Sequence, residues 1–208
     1  MNHDTFKIVG ENNVIYTDPY EIEEQVEKAD FVTVSHSHLD HLSIDDIKKV
    51  IKGNTIILAS KNCQDKLKEL KADIKYLISR EKVEFGQISF FAVPAYNINK
   101  FRALGQPFHP RQQNGVGLII SIGKYKIYHA GDTDNIPEAS NFGQVNIALL
   151  PVSGTYVMTA DEAVEMVKVL KPKVAIPMHY GSIIGTQEDA KRFKDKASKY
   201  CVVVILKN

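Results

Sequence analysis

A β-branched run, FVTVS (31–35), leads without a break into HSHLDHLS, which places three histidines and an aspartate within six positions. Such a run reads as a buried strand. The polar cluster after it therefore has to emerge at the edge of a sheet, where a rigid scaffold can present side chains. The same arrangement recurs. Asp132 follows the strand-like YKIYHA, and His179 follows KVAIPM. A polar turn after one strand would be a bland explanation of one such cluster. Three strand ends carrying His or Asp point instead to a shared site.

Imidazole nitrogens and carboxylate oxygens together suit zinc, iron or manganese. Neither Cys63 nor Cys201 has C-x-x-C spacing, so a thiolate zinc site and a disulfide framework are both disfavoured, and reduced thiols in a cytoplasmic protein are expected. In an extended H-x-H stretch alternate side chains share a face, so His36 and His38 can hold one metal. Once the chain turns, Asp40 and His41 can face a second, and Asp132 has two oxygens with which to bridge both. Two metals about 3.5–4 Å apart can hold a hydroxide between them as nucleophile at neutral pH. Zinc is the first expectation, with manganese or iron as alternatives.

The rest of the chain supplies a scaffold. FKIVG and NNVIYTD, parted by a polar turn, signal a hairpin that stops at Asp18-Pro19. EIEEQVEKA (21–29) reads as a short helix with Ile22 and Val26 on one face, and Ser43 caps IDDIKKVIKG. A Lys-rich helix is expected around 61–71. Short strands recur from Ile74 to Pro94, and residues 95–114 form a long loop without periodicity. Strands VGLIISI, YKIYHA, VNIALLPV, KVAIPM and CVVVIL follow. Thr159 and Glu162 open one helix with a capping box, and Thr186 caps the last. No composition break divides the chain, so residues 1–208 are read as one domain of mixed α and β structure. With 26 basic and 25 acidic residues the formal net charge is +1, which gives no general pull toward nucleic acid. No secretory signal is visible in the first residues, and no apolar run approaches the ~20 residues that span a bilayer.

H-x-H-x-D-H after a strand, G-D-T after a later one and a final strand-end histidine together resemble the metallo-β-lactamase superfamily. Asp18 resembles that superfamily's early structural aspartate, which braces the histidine loop from behind. The resemblance runs from Asp18 to His179. It implies an αββα sandwich, two mixed β-sheets flanked by helices, with the metal site along one edge. "YHAGDTD" and "PMHYG" look most like the branch of small metal-dependent hydrolases that includes ascorbate-6-phosphate lactonase-like proteins. In related proteins the third histidine of the first metal site comes soon after a strand ending in Pro-Ala. Here that stretch is VPAYN, with Asn97 in its place, and the nearest histidine is His109 in FHPR. The expected ligands of two divalent ions are then His36, His38, Asp40, His41, His109, Asp132 and His179, with Asn97 behind the site or facing substrate.

His129 lies inside a strand, where alternation turns it away from Asp132, and is read as a partly buried, hydrogen-bonded residue. His3 is assigned no role. Asp134 is either a turn residue or a partner of a ligand imidazole. Asp40 is expected to orient the hydroxide as well as ligate. Tyr156, in SGTYVM, either polarises a substrate oxygen or packs as an aromatic lid. The leading function is hydrolysis of an ester, lactone or phosphodiester of a small-molecule substrate. RNA or nucleotide phosphodiesterase chemistry and a non-catalytic metal-binding module are the alternatives, and a di-iron redox role lacks room for a flavin domain.

Overall fold

Alternation within three short strands accounts for the layering. In Asn13–Thr17 (β2), Phe31–Val34 (β3) and Ile56–Ser60 (β4), the residues Ile15, Phe31 and Leu58 pack to one side, while Val14, Tyr16, Val32, Val34, Ile57 and Ala59 pack to the other. A sheet that is apolar on both faces has to be covered twice. The structure, a computed structural model, describes residues 3–206. With Phe6–Gly10 (β1) and Asp73–Leu77 (β5), these strands form a five-stranded sheet in the order β1-β2-β3-β4-β5. Its outer face is covered by helix Ile44–Val50 (α1) and the single turn Gln64–Leu67 (α2), through Ile47, Val50 and Leu67.

The inner face meets a second sheet of seven strands. Lys82–Phe85 (β6), Ile88–Pro94 (β7), Val116–Ile122 (β10), Tyr125–His129 (β11), Ile147–Pro151 (β12), Val174–Met178 (β13) and Val202–Val203 (β14) run in the order β14-β13-β12-β11-β10-β7-β6. Phe31 of the first sheet packs against Phe85 and Phe90 of the second, at ring-centroid distances of 5.0 and 5.2 Å. Helices Ala160–Leu170 (α3) and Gln187–Ala197 (α4) bring Met166, Val167 and Phe193 into the same core. The result is the αββα sandwich of two mixed sheets. The Thr159 capping box forms, and Thr186 stands at the N-cap of the last helix with its backbone N–H donating to Asp189 at 2.7 Å. No helix among the described residues is long and apolar enough to cross a membrane.

Four local expectations need correction. Residues 21–29 form neither helix nor strand. The backbone N–H groups of Glu21 and Ile22 donate instead to the Asp46 carboxylate, at 3.0 Å each, and the Lys49 ammonium donates to the Ile22 carbonyl. Tertiary partners thus take the groups a helix would have paired, in a segment where four glutamates repel one another. The helix around 61–71 shrinks to a 3₁₀ turn and α2, and the last strand to Val202–Val203. The long loop is partly ordered as a small hairpin, Phe101–Ala103 (β8) with Gln106–Pro107 (β9).

The two sheets are pinned together at one edge. The Val116 N–H donates to the Ser35 carbonyl at 3.0 Å, joining the start of β10 to the end of β3. Gly131, directly before Asp132, has φ +60°, and a Cβ there would lie 2.9 Å from the Ser35 Cβ. Only glycine satisfies both the left-handed backbone and that approach. Gly131→Ala is expected to destabilise the fold by about 1–3 kcal/mol. Chemical denaturation should show the loss as a lower midpoint with an unchanged slope, and a midpoint equal to the parent's would refute the steric argument.

Candidate metal centre

Three strand ends and one returning hairpin deliver the polar residues to that edge. His36, His38, Asp40 and His41 follow β3, Asp132 follows β11, His179 follows β13, and His109 returns from the β8–β9 hairpin. All seven sequence-predicted residues come together. Two groups of donor atoms, each within 4.8 Å of one another, could hold an ion: His36, His38, His109 and Asp132, and His3, Asp4, His41 and His179. Asp132 stands between them. Its Oδ2 lies 3.1 Å from His109 Nε2 and 3.8 Å from His36 Nε2, and its Oδ1 lies 3.3 Å from both His41 Nε2 and His179 Nε2.

The outer nitrogen of each of four imidazoles is tied down, which fixes what the inner nitrogen can do. His41 Nδ1 is 2.7 Å from Asp18 Oδ2, and a carboxylate oxygen accepts, so Nδ1 carries a proton and Nε2 is the nitrogen turned to Asp132. Asp18 is itself held by the Ser35 N–H at 2.7 Å and the Ser35 hydroxyl at 2.5 Å. That hydroxyl, donating to Asp18, is left to accept from His36 Nδ1 at 3.1 Å. His179 Nδ1 lies 3.0 Å from the Ser153 hydroxyl. Asn97 serves His109 in the same way. Its Oδ1 accepts from the His109 backbone N–H and ring Nδ1, both at 2.9 Å, while its amide donates to Asp134 and to the Tyr156 carbonyl. Asp134 also accepts from the backbone of Ile98 and Asn99. Asn97 is thus a tether for an imidazole, and Asp134 anchors the tether.

The inner nitrogens therefore converge. His36 Nε2 and His109 Nε2 each lie 3.1 Å from His38 Nδ1. Across the carboxylate, His41 Nε2, His179 Nε2 and Asp132 Oδ1 are buried with no hydrogen-bond partner among the described residues. Orphaned buried polar atoms are costly unless a bound group satisfies them. Burial alone would raise the Asp132 pKa, but His179, His41 and His109 hold it well below the usual carboxylate range. Burial, reinforced by His41, pushes His36 well below the ordinary imidazole value, which leaves it neutral. Burial would lower the His41 and His179 values, but Asp132 raises both, His41 well above the ordinary imidazole value and His179 to about 9. A divalent transition metal would take the place of those protons between carboxylate and imidazoles.

His3 corrects the expectation that it has no part here. Its side chain is fully buried, its Nε2 lies 3.1 Å from Asp40 Oδ2, and its ring stands 4.0 Å from that of His179. Burial would raise the Asp40 pKa, yet the hydrogen bond from His3 and the charge of His41 bring it to about 2. Asp4, buried beside His41 at 3.5 Å, was also missed. The signal lay in the hairpin. Phe6 pairs with Thr17, so the residues before β1 fall beside Asp18. His3, Asp18 and His179 all hold positive φ, at 58°, 39° and 58°. Backbone strain of that kind gathers where function over-determines the conformation. His129 stays apart, its Nε2 2.9 Å from the Asp4 carbonyl. Tyr156 lines the cleft over the cluster, its ring edge-on to Phe108 at 4.7 Å.

Residues 1–179 match the family described as the beta-lactamase superfamily domain. The chain is 31% identical to a metal-dependent hydrolase of Thermoplasma acidophilum, covering 98% of this chain and 92% of that one. It is 32% identical to a metal-dependent hydrolase of Thermoplasma volcanium, with the same coverage of 98% and 92%. The crystal structure of a protein from Parabacteroides distasonis superposes with a TM-score of 0.85 at 31% identity, over 98% of this chain and 89% of that one. Igni18, a metallo hydrolase from the archaeon Ignicoccus hospitalis, shares the fold at a TM-score of 0.80 and 21% identity, over 99% and 92% of the two chains. The chain belongs to the beta-lactamase superfamily, among relatives that are themselves named metal-dependent hydrolases.

Proposed function

We propose that this chain is a metal-dependent hydrolase with a dinuclear centre, acting on an ester, lactone or phosphodiester bond. The observation that carries the reading is the Asp132 carboxylate with a pair of imidazole nitrogens before each oxygen. His36, His38, His109 and Asp132 Oδ2 would hold the first ion. His41, His179 and Asp132 Oδ1 would hold the second, with Asp40 at its rim. His41 directs its Nδ1 to Asp18, so its free nitrogen turns to Asp132 rather than to Asp4. All donors are nitrogen or oxygen, which suits zinc first and manganese or iron as alternatives. Divalent ions there would supply an activated water at neutral pH and a Lewis acid for the scissile oxygen.

The chain's own residues supply the rest. Asp40, partly open to the cleft, faces the position from which water must approach and can accept its proton. Tyr156 has no hydrogen-bond partner for its hydroxyl among the described residues and borders the same cleft, where it can donate to a developing oxyanion. Asn97, Asp18, Ser35 and Ser153 fix imidazole orientation, and His3 fixes Asp40. Because the cleft opens directly onto the donors, a purely structural metal site, which is closed, fits less well.

Elemental analysis of protein prepared without chelator should give about two transition-metal ions per chain, and Asp132→Ala should lose both. Protein that takes up no zinc, manganese or iron on reconstitution would end the reading. Asn97→Ala should weaken binding at the first set about 10–100-fold, measured by competition with a chromophoric chelator. His3→Ala should lower occupancy of the second set while the first stays filled, and His3→Gln, which keeps a donor toward Asp40, should restore part of it. Equal loss from both sets would show that His3 acts on the fold rather than on Asp40. Chelation should lower the melting temperature and leave a cooperative transition, since bound ions stabilise the native state by mass action on a core that can fold alone.

A further inference from the structure

The cleft above the donors has a composition of its own. It measures about 260 Å³ and is walled by Tyr20, Leu39, Phe108, Tyr156 and Ile183 around His38, Asp40, His109 and Asp132. Leu39 and Ile183 are 69% and 50% exposed. Single exposed aliphatic side chains are ordinary, but these two share one cleft with the Phe108–Tyr156 pair. Leu39 is held there by the motif itself, between His38 and Asp40, which both turn to the cluster.

No lysine or arginine lines this cleft among the described residues. Cations on adjoining elements are committed to protein acceptors. Arg102 donates to the Phe108 carbonyl at 3.1 Å and lies over the Phe108 ring at 5.8 Å. Lys100 is paired with Glu162 at 2.8 Å, and Lys66 donates to the Ser37 carbonyl at 2.7 Å. A phosphodiester brings a full negative charge and gains more as it reacts; bound metal ions can share that charge, but its enzymes commonly add Arg or Lys, of which this cleft has none among the described residues. An ester or lactone is neutral until its carbonyl is attacked. The volume also falls below the roughly 300–1,000 Å³ of pockets for drug-sized ligands.

Resting on the hydrolase reading above, we propose that the substrate is a small neutral ester or lactone with an apolar substituent, not a phosphodiester. The oxygen of water bonds to the acyl carbon and the acyl C–O bond breaks. A proton from that water passes to the departing alkoxide. The products are an alcohol and a carboxylic acid that ionises to solvent, or one hydroxy acid where the substrate is a ring. The apolar substituent lies against Leu39, Ile183 and Phe108.

The test uses the full chain loaded with zinc or manganese. Its probes are 4-nitrophenyl acetate, butyrate and hexanoate, γ-butyrolactone and γ-decalactone, and bis(4-nitrophenyl) phosphate. The expected result is a kcat/KM that rises with acyl length, by up to about fourfold per methylene, and a phosphodiester value below that of the butyrate. Leu39→Ser and Ile183→Ser, at exposed positions that the fold tolerates, should flatten the series without changing metal content. Leu39→Arg should raise the phosphodiester-to-ester ratio at least tenfold. A flat series in the parent, or a phosphodiester preferred over every ester and lactone, overturns the substrate class and leaves the hydrolase reading standing. No turnover of any probe by protein shown to carry two ions overturns that reading and this inference together.

Discussion

One carboxylate organises this end of the molecule. Asp132 is buried, ionised and faced by nitrogen atoms on both sides, an arrangement that would be strongly unfavourable if any of those nitrogens pointed elsewhere. Its position depends on Gly131 against Ser35, and Ser35 in turn holds Asp18 and His36. Backbone approach, hydroxyl donation and imidazole tautomer are therefore parts of a single constraint. The two sheets need this contact only at one edge. Elsewhere the inter-sheet core of Phe31, Phe85 and Phe90 could accept many apolar substitutions of similar volume.

Four imidazoles around Asp132 each have an outward partner that sets their orientation, but the partners differ in kind. His41 uses a carboxylate, His109 a carboxamide, His36 and His179 a hydroxyl. A carboxylate makes the imidazole more basic than a neutral acceptor does. The donors before Asp132 Oδ1 and Oδ2 are thus not electronically equal, although both sides present nitrogen. Were two like ions held here, such asymmetry would let them differ in how firmly they are bound.

Much of this was legible before the structure. The FVTVS run, the hairpin of β1 and β2 and the Thr159 capping box follow from local pattern, and the cluster at 36–41 with Asp132 and His179 marks three strand ends on one edge. What escaped were features decided by distant partners. Residues 21–29 have a helical pattern, yet Asp46 and Lys49 claim their backbone groups. The return of His109 and a place for Asn97 behind the site or facing substrate were both readable, but which of the two Asn97 takes depends on the intervening hairpin that sets its Oδ1 against His109 Nδ1. His3 looks peripheral because it is early in the chain, while the pairing of Phe6 with Thr17 carries it to the centre.

The tether has one more consequence. Asn97 and His109 bind each other twice through the backbone and side chain, the Asn97 N–H to the His109 carbonyl at 2.9 Å and the His109 N–H to Asn97 Oδ1 at 2.9 Å. The β8–β9 hairpin between them is therefore closed at its base like a stalk, and its tip, where Leu104 is wholly exposed, makes no demand on the donors below. The entropy of closing such a loop grows only with the logarithm of its length. The segment can lengthen, shorten or exchange its tip while the imidazole at its foot stays in register. Divergence can reshape what hangs over the cleft and leave the chemistry beneath untouched.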